Sequence, residues 1–115
     1  MTSKRGDVVL ALFPDSNLRT AKPRPVLVVQ ADGVNTGLPQ TVVAMISSNV
    51  ARLGHPSRVA IRLATPEGVG TGLRLDSVIM TDNLATLLNS AIYRHLGTWA
   101  DMATVDAALR HTLAL

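Results

Sequence analysis

Lys22-Pro23-Arg24-Pro25-Val26-Leu27-Val28-Val29-Gln30 is the stretch around which the rest of the chain is organised. The apolar run at 26–29 is continuous and rich in β-branched residues, which predicts a strand buried on both faces. Proline fixes its own φ angle and favours an extended conformation in the residue before it. Arg24 is therefore expected to be held stiffly at the start of a central strand, where a cation has a defined position. An exposed arginine that only keeps a loop in solution is the alternative.

Length and composition predict a single domain over residues 1–115 with an aliphatic core. Hydrophobic residues make up 47% of the chain, yet it has only one Phe, one Tyr and one Trp. The chain has no cysteine, which excludes disulfides and zinc–thiolate sites. No apolar run reaches the roughly 18 residues of a membrane-spanning helix. We therefore expect a cytoplasmic protein with no membrane partner.

Positive charge is concentrated in the first half of the chain. Residues 1–62 hold eight Lys and Arg against three Asp, whereas residues 63–115 hold three Arg against five acidic residues. The net charges of the two parts are therefore +5 and −2. A basic part in a small domain is compatible with a polyanionic partner such as nucleic acid.

Short apolar segments separated by turn-rich loops predict a mainly β fold with one C-terminal helix. The expected strands are residues 7–13, 25–30, 41–46, 59–63, 73–81 and 92–96. One helical turn is expected over 84–90, and the glycine-rich segment 68–72 fits no regular element. Because strands and helices do not alternate, a small antiparallel barrel with a helix packed on it is favoured over a parallel sheet.

The C-terminal segment is the clearest helix in the sequence. Thr98 and Asp101 have the spacing of a capping box, with Asp in place of the usual Glu. Met102, Val105, Leu109 and Leu113 follow at helical spacing and predict one apolar face.

Two predicted strand ends place a cation near hydroxyl groups. Arg24 begins the second strand, and Ser47 and Ser48 follow the third. If these strands are antiparallel neighbours, both ends lie on the same side of the sheet, where a guanidinium and a hydroxyl can grip a phosphate. Alternatively, Ser47-Ser48-Asn49 only starts a turn. The three histidines, at 55, 95 and 111, have no metal-ligand spacing, so no metal is expected. No cofactor is expected either.

Four short segments follow one another in a recognisable order. They are Lys4-Arg5-Gly6-Asp7-Val8, Arg24-Pro25-Val26-Leu27-Val28, Ile46-Ser47-Ser48, and Asp76-Ser77-Val78-Ile79 before Asp82-Asn83. In this order the chain resembles the MazF/PemK family of type II toxin–antitoxin endoribonucleases, in the superfamily of Kid and CcdB. The resemblance extends over nearly the whole chain. It implies a dimeric SH3-like β-barrel that cuts single-stranded RNA without a metal, leaves a cyclic phosphate and a 5′-hydroxyl, and is inhibited by an antitoxin.

The resemblance also implies roles for individual residues. Arg24 would stabilise charge on the scissile phosphate, Ser47 would assist, and Asp82 would activate the ribose 2′-hydroxyl. Asp82 could instead be a turn residue that pairs with Asn83. The expected RNA-binding residues are Arg19, Lys22, Ser48, Asn49, Arg52, Arg58 and Asn83.

Two departures from the family pattern affect the expected activity. Met80 stands where the PemK branch has an arginine, and the first loop reads Asp15-Ser16-Asn17-Leu18-Arg19-Thr20-Ala21-Lys22. Arg19 or Lys22 could replace the missing cation.

Other functions stay open at this point. One is a catalytically impaired family member that binds nucleic acid or antitoxin and represses transcription together with it. Another is a gyrase-poison-like toxin, for which the C-terminal residues 111–115 give no matching signal. The expected partners are single-stranded RNA, an antitoxin, a second copy of the chain, and operator DNA only together with the antitoxin.

Overall fold

Six antiparallel strands and a C-terminal helix dominate the computed structural model, which describes residues 3–34 and 36–115. The strands are β1 (Asp7–Pro14), β2 (Ala21–Val28), β3 (Gln40–Ser47), β4 (Arg58–Ile61), β5 (Ser77–Leu88) and β6 (Ile92–Thr98). The helices are α1 (Pro66–Gly70) and α2 (Met102–Leu113), and single 3₁₀ turns span Val50–Arg52 and Asn89–Ala91. The strand order is β4-β5-β3-β2-β1-β6. The predicted mainly β fold is confirmed, although within the described residues β4 and β6 remain the two edges of the sheet.

The sheet separates two apolar layers, because successive side chains of a strand point to opposite faces. One layer includes Val9, Val26 and Met45, and the other includes Val8 and Leu27. All four residues of the run 26–29 are buried, as predicted for a central strand.

Strand β2 begins four residues earlier than the sequence predicted. It pairs with β1 from Ala21 to Leu27, whereas β3 reaches only its last three residues, Val26–Val28. Pro23 and Pro25 therefore lie where one side of the strand is unpaired, a position that tolerates a missing N–H. Arg24 lies within the strand, opposite Ala11 of β1.

Helix α2 packs on the second layer, and its N-terminus differs from the prediction. Val105 and Ala108 are buried, and Met102 and Leu109 pack against the same layer. The predicted membership of Leu113 in the apolar face is wrong, since 51% of this residue is exposed. The capping box is also wrong: Thr98 ends β6, and Asp101 is the N-cap without a side-chain hydrogen bond.

Two further predictions about local structure were wrong. Residues 84–90 do not form a helical turn, because β5 continues to Leu88 and pairs with β3 as far as Gln40. Part of the glycine-rich segment 68–72 is helical, since α1 begins after Thr65, whose hydroxyl accepts the Gly68 N–H. None of the described helices is long and apolar enough to cross a membrane.

Candidate active site

The sheet register brings Arg24 and Ser47 together. Val26 of β2 pairs with Met45 of β3, so two further steps along the antiparallel strands place Arg24 across from Ser47. Both positions continue the face that carries Val26 and Met45, since alternate residues share a face. The predicted convergence is confirmed, because the two residues line the same cavity.

This cavity, which we call the loop cavity, has a volume of about 480 Å³. The β1–β2 loop forms one wall, and the ends of β2 and β3 form the floor. Lys22 and Arg52 line it together with Arg24, so three cations surround the opening. About 38% of the Arg24 side chain is exposed, which leaves its guanidinium accessible to a ligand. The site therefore suits a phosphate group.

Asp15 is the carboxylate of the loop cavity. Its Oδ1 lies 3.3 Å from Nη2 of Arg24, and its Oδ2 accepts a 2.7 Å hydrogen bond from the Thr20 hydroxyl. The Thr20 hydrogen bond, aided by the charges of Arg24 and Lys22, holds the pKa of Asp15 below its ordinary value despite partial burial. Asp15 is therefore ionised at neutral pH.

Backbone hydrogen bonds fix the loop that carries Asp15. The Asp15 N–H donates to the Thr20 carbonyl, and the Leu18 N–H donates to the Asp15 carbonyl. Asn17 Oδ1 accepts the N–H groups of Arg19 and Thr20. Leu18 adopts a left-handed conformation with φ of 60°, which is uncommon for a residue other than glycine. This compact turn holds the Asp15 carboxylate against Arg24.

The Ser47-Ser48-Asn49 segment forms a turn and also presents a hydroxyl group to the loop cavity. The Ser47 hydroxyl oxygen accepts the Asn49 N–H at 3.1 Å, and Asn49 Oδ1 accepts the Ala51 N–H. The turn considered from the sequence is therefore present. The Ser47 hydroxyl donates to no acceptor among the described residues, so its proton is available to a phosphate oxygen.

Asp82 does not line the loop cavity with Arg24 and Ser47. It lies in the part of β5 where the pairing with β3 shifts register, between the partners of Ala44 and Met45. Its Oδ2 accepts a 2.9 Å hydrogen bond from Nη2 of Arg58. This hydrogen bond is the main reason that the pKa of Asp82 lies below its ordinary value. Asn83, the next residue, does line the cavity and contacts the Met45 sulfur.

A cation lies beside Met80 although Met80 itself carries no charge. Nη1 of Arg52 lies 3.4 Å from the Met80 sulfur, and Arg52 lines the loop cavity. Of the two cations that the sequence suggested as replacements, Lys22 lines the cavity and Arg19 does not. Arg58 lies beside Asp82 instead, and its Nη1 donates to the Arg52 carbonyl.

The sequence did not single out Asp15 as a site residue. The sequence signal for it is the pair Asp15 and Thr20, which lie on either side of the β1–β2 turn. This pairing can be recognised only once β2 is known to begin at Ala21. Within the described residues, no group of three or more His, Asp or Glu side chains is arranged to hold a metal ion.

Known proteins match this chain over nearly its whole length. A family model described as "PemK-like, MazF-like toxin of type II toxin-antitoxin system" matches residues 4–113. The endoribonuclease MazF6 of Mycobacterium tuberculosis is 34% identical over 119 residues, which cover 100% of both chains. The endoribonuclease EndoA of Bacillus subtilis is 33% identical over 118 residues, covering 100% of this chain and 97% of EndoA.

Solved structures show the same fold at lower sequence identity. An endoribonuclease in complex with its cognate antitoxin, from a mycobacterial species, superposes with a TM-score of 0.75 at 22% identity, covering 99% of this chain and 97% of that one. MazF in a MazE–MazF crystal structure from Deinococcus radiodurans gives 0.73 at 18% identity, with 100% and 99% covered. With a family match over nearly its entire length, this chain belongs to the PemK-like, MazF-like toxins of type II toxin–antitoxin systems.

Proposed function

We propose that this toxin is an endoribonuclease that cleaves single-stranded RNA without a metal ion. The observation that carries the proposal is the shared cavity of Arg24 and Ser47, where a guanidinium and a hydroxyl converge beside two further cations. The curated relatives that align with the full chain are named endoribonucleases, which supports the same reaction.

Arg24 is the group that stabilises the reacting phosphate. Its 3.3 Å contact with Asp15 uses Nη2, so the other N–H donors of the guanidinium remain for a second anion. Negative charge grows on the non-bridging oxygens as the transition state forms, and fixed donors then contribute more than in the ground state. Ser47 donates its hydroxyl proton to one of these oxygens.

In the proposed reaction the phosphoryl group moves from a 5′-oxygen to the neighbouring 2′-oxygen of the same RNA strand. The 2′-oxygen of the preceding ribose forms a bond to phosphorus while the bond from phosphorus to the 5′-oxygen breaks. The 2′-hydroxyl proton passes to a base, and the leaving 5′-oxygen takes up a proton. The products are a 2′,3′-cyclic phosphate and a 5′-hydroxyl end.

Cations around the cavity lower the cost of this charge redistribution. Arg52 brings positive charge beside Met80, the position where the PemK branch has an arginine. Lys22 adds a second cation at the cavity wall. Both groups act through their charge rather than as the general acid.

Asp15 is the carboxylate that activates the ribose 2′-hydroxyl in this proposal. The family resemblance implies that role for Asp82 instead. Asp15 lines the cavity, whereas Asp82 would first have to break its ion pair with Arg58 and turn toward the cavity. Its low pKa makes Asp15 a weak base, so part of its effect comes from the orientation of Arg24.

Asparagine variants at the two aspartates separate these roles. We expect Asp15→Asn to lower the cleavage rate about 100-fold, since general acid–base groups contribute roughly that much or more. Asp82→Asn should change the rate less than about threefold, because Asp82 does not line the loop cavity. Single-turnover cleavage of one RNA by both variants measures the difference. The reverse result would return the base role to Asp82.

The central test is incubation of the purified protein with a long unstructured RNA in the presence of EDTA. Cleavage with cyclic-phosphate ends is expected, since no step uses a metal ion. An absence of cuts in varied RNAs, from protein shown to be folded, would contradict the proposal. It would favour the catalytically impaired, nucleic-acid- or antitoxin-binding alternative.

Partners follow from the same proposal. One solved relative is an endoribonuclease in complex with its cognate antitoxin and another is a MazE–MazF structure, which supports an antitoxin as inhibitor of this chain. A second copy of the chain completes the proposed dimer, and operator DNA is bound only when the antitoxin is present. Since single-stranded RNA is the proposed substrate, the cytoplasm is the proposed site of action.

A further inference from the structure

Arg24 and Ser47 border a second cavity on the side away from the β1–β2 loop. This cavity, which we call the proline cavity, has a volume of about 370 Å³. Its apolar walls come from β2, from the end of β3 and from the segment before β5, and consist of Pro23, Pro25, Ile46, Leu73 and Leu75. The Arg24–Ser47 pair therefore lies between two cavities.

The two cavities offer different chemistry. Besides the shared Arg24, the loop cavity presents Asp15, Asn17 and two cations, whereas the proline cavity presents two proline rings, two leucines and one cation, Arg74. Leu75 is 64% exposed, although it is a large apolar side chain next to a cationic site. Apolar surface of this kind can cover the apolar face of a nucleic-acid base and remove it from water.

Polar groups at the rim of the proline cavity are free to contact a nucleotide. Asn49 uses its carbonyl oxygen for the Ala51 N–H, so its amide NH₂ is the part that can donate to a base edge. Arg74 forms no ion pair with any described residue and lies within reach of a backbone phosphate along the same wall.

The chemistry of RNA cleavage decides which nucleoside lies in which cavity. A phosphate held between Arg24 and Ser47 has one nucleoside on each side, so the two nucleosides enter different cavities. The nucleoside before the phosphate carries the attacking 2′-hydroxyl and needs the carboxylate, and Asp15 lies in the loop cavity. The nucleoside after the phosphate is therefore directed to the proline cavity.

We propose that the proline cavity is the subsite for the nucleoside that follows the scissile phosphate. Its base packs against Pro23, Pro25 and Leu75, and Arg74 contacts the next phosphate along the strand. This inference rests on the proposed ribonuclease function and deepens it, because it names the structural basis of base preference at one position of the substrate.

The test compares base preferences on the two sides of the cut. Wild-type cuts in a long RNA are mapped first, and short RNAs with each of the four bases at the preceding or the following position are then cleaved. We expect Leu75→Ala to lower kcat/KM about tenfold for the preferred following base, mainly through KM, and to flatten preference there. Preference at the preceding position should not change. Arg74→Ala should raise KM for all sequences and weaken its dependence on salt.

Matched controls come from exposed residues that line neither cavity. Leu88→Ala replaces a leucine that is 58% exposed, and Arg94→Ala removes an exposed arginine on β6. If the wild type cuts RNA but the Leu75 and Arg74 variants match these controls, the subsite is wrong while the proposed function stands. An altered preference only at the preceding position would also overturn the subsite. If the wild type cuts no RNA, the proposed function fails and the subsite falls with it.

Discussion

Replacing Arg24 with alanine is expected to lower the rate of RNA cleavage by about 100- to 1,000-fold, the effect of removing one fixed donor from a developing oxyanion. Arg24 combines full charge, several N–H donors and a position held between two prolines, so no neighbouring side chain can take over its geometry. Lys22 lies two residues earlier on the same strand and Arg52 lies in the Val50–Arg52 turn, so neither side chain starts from the backbone position of Arg24. The measurement is single-turnover cleavage of a mapped RNA substrate.

The fold should survive this substitution, which makes the loss of activity interpretable. The contact between Arg24 and Asp15 is a partly exposed ion pair, and such pairs contribute at most about 1 kcal/mol to stability. Arg24→Lys keeps the charge and is also expected to lose most activity, because lysine lacks the planar guanidinium fork. A control at Arg94 should cleave normally. Cleavage by Arg24→Ala within a few-fold of the wild-type rate would contradict the catalytic role.

Gly97→Ala is expected to destabilise the protein by about 3 kcal/mol, at the upper end of what overpacking usually costs. Gly97 lies in β6 opposite Val8, and a Cβ atom at this position would overlap the backbone of Gly70 and Thr71. Because the obstacle is backbone at the end of α1, no side chain can rotate away to make room. Urea unfolding of both proteins measures the loss.

Gly70→Ala is the matched control on the other side of the same contact. A Cβ atom at Gly70 would lie 3.4 Å from the Thr98 carbonyl oxygen, an ordinary packing distance. We expect its stability to change by less than about 1 kcal/mol. Equal stability of the Gly97 and Gly70 variants would show that β6 and α1 can move apart.

The apolar pattern of the sequence predicted the core strands because the burial of each strand determines which of its residues are apolar. The run 26–29 could only be satisfied between two apolar layers, and both layers are present. The same reasoning failed for residues 84–90, where leucines at 84, 87 and 88 have helical spacing. Pairing with β3 outweighed this local preference, since strand formation depends strongly on tertiary context. Such pairing cannot be read from the segment itself.

The candidate site was predictable only in part, for a similar reason. Strand order and register bring Arg24 and Ser47 together, and both strands were visible in the sequence. Asp15 was missed because its position depends on where β2 begins and on the Thr20 hydrogen bond. Asp82 pairs with Arg58, 24 positions earlier in the chain, and a charge pair between strands leaves no local pattern.

Pro23 and Pro25 also affect what kinds of molecule can attach beside the site. Five residues of β2 precede the part that β3 covers, and an unpaired strand edge ordinarily invites another chain to add to the sheet or to start aggregation. Two of these five residues have no N–H with which to complete such a ladder. An extended peptide therefore gains little from backbone pairing here, and a protein inhibitor that covers Arg24 must rely on its side chains.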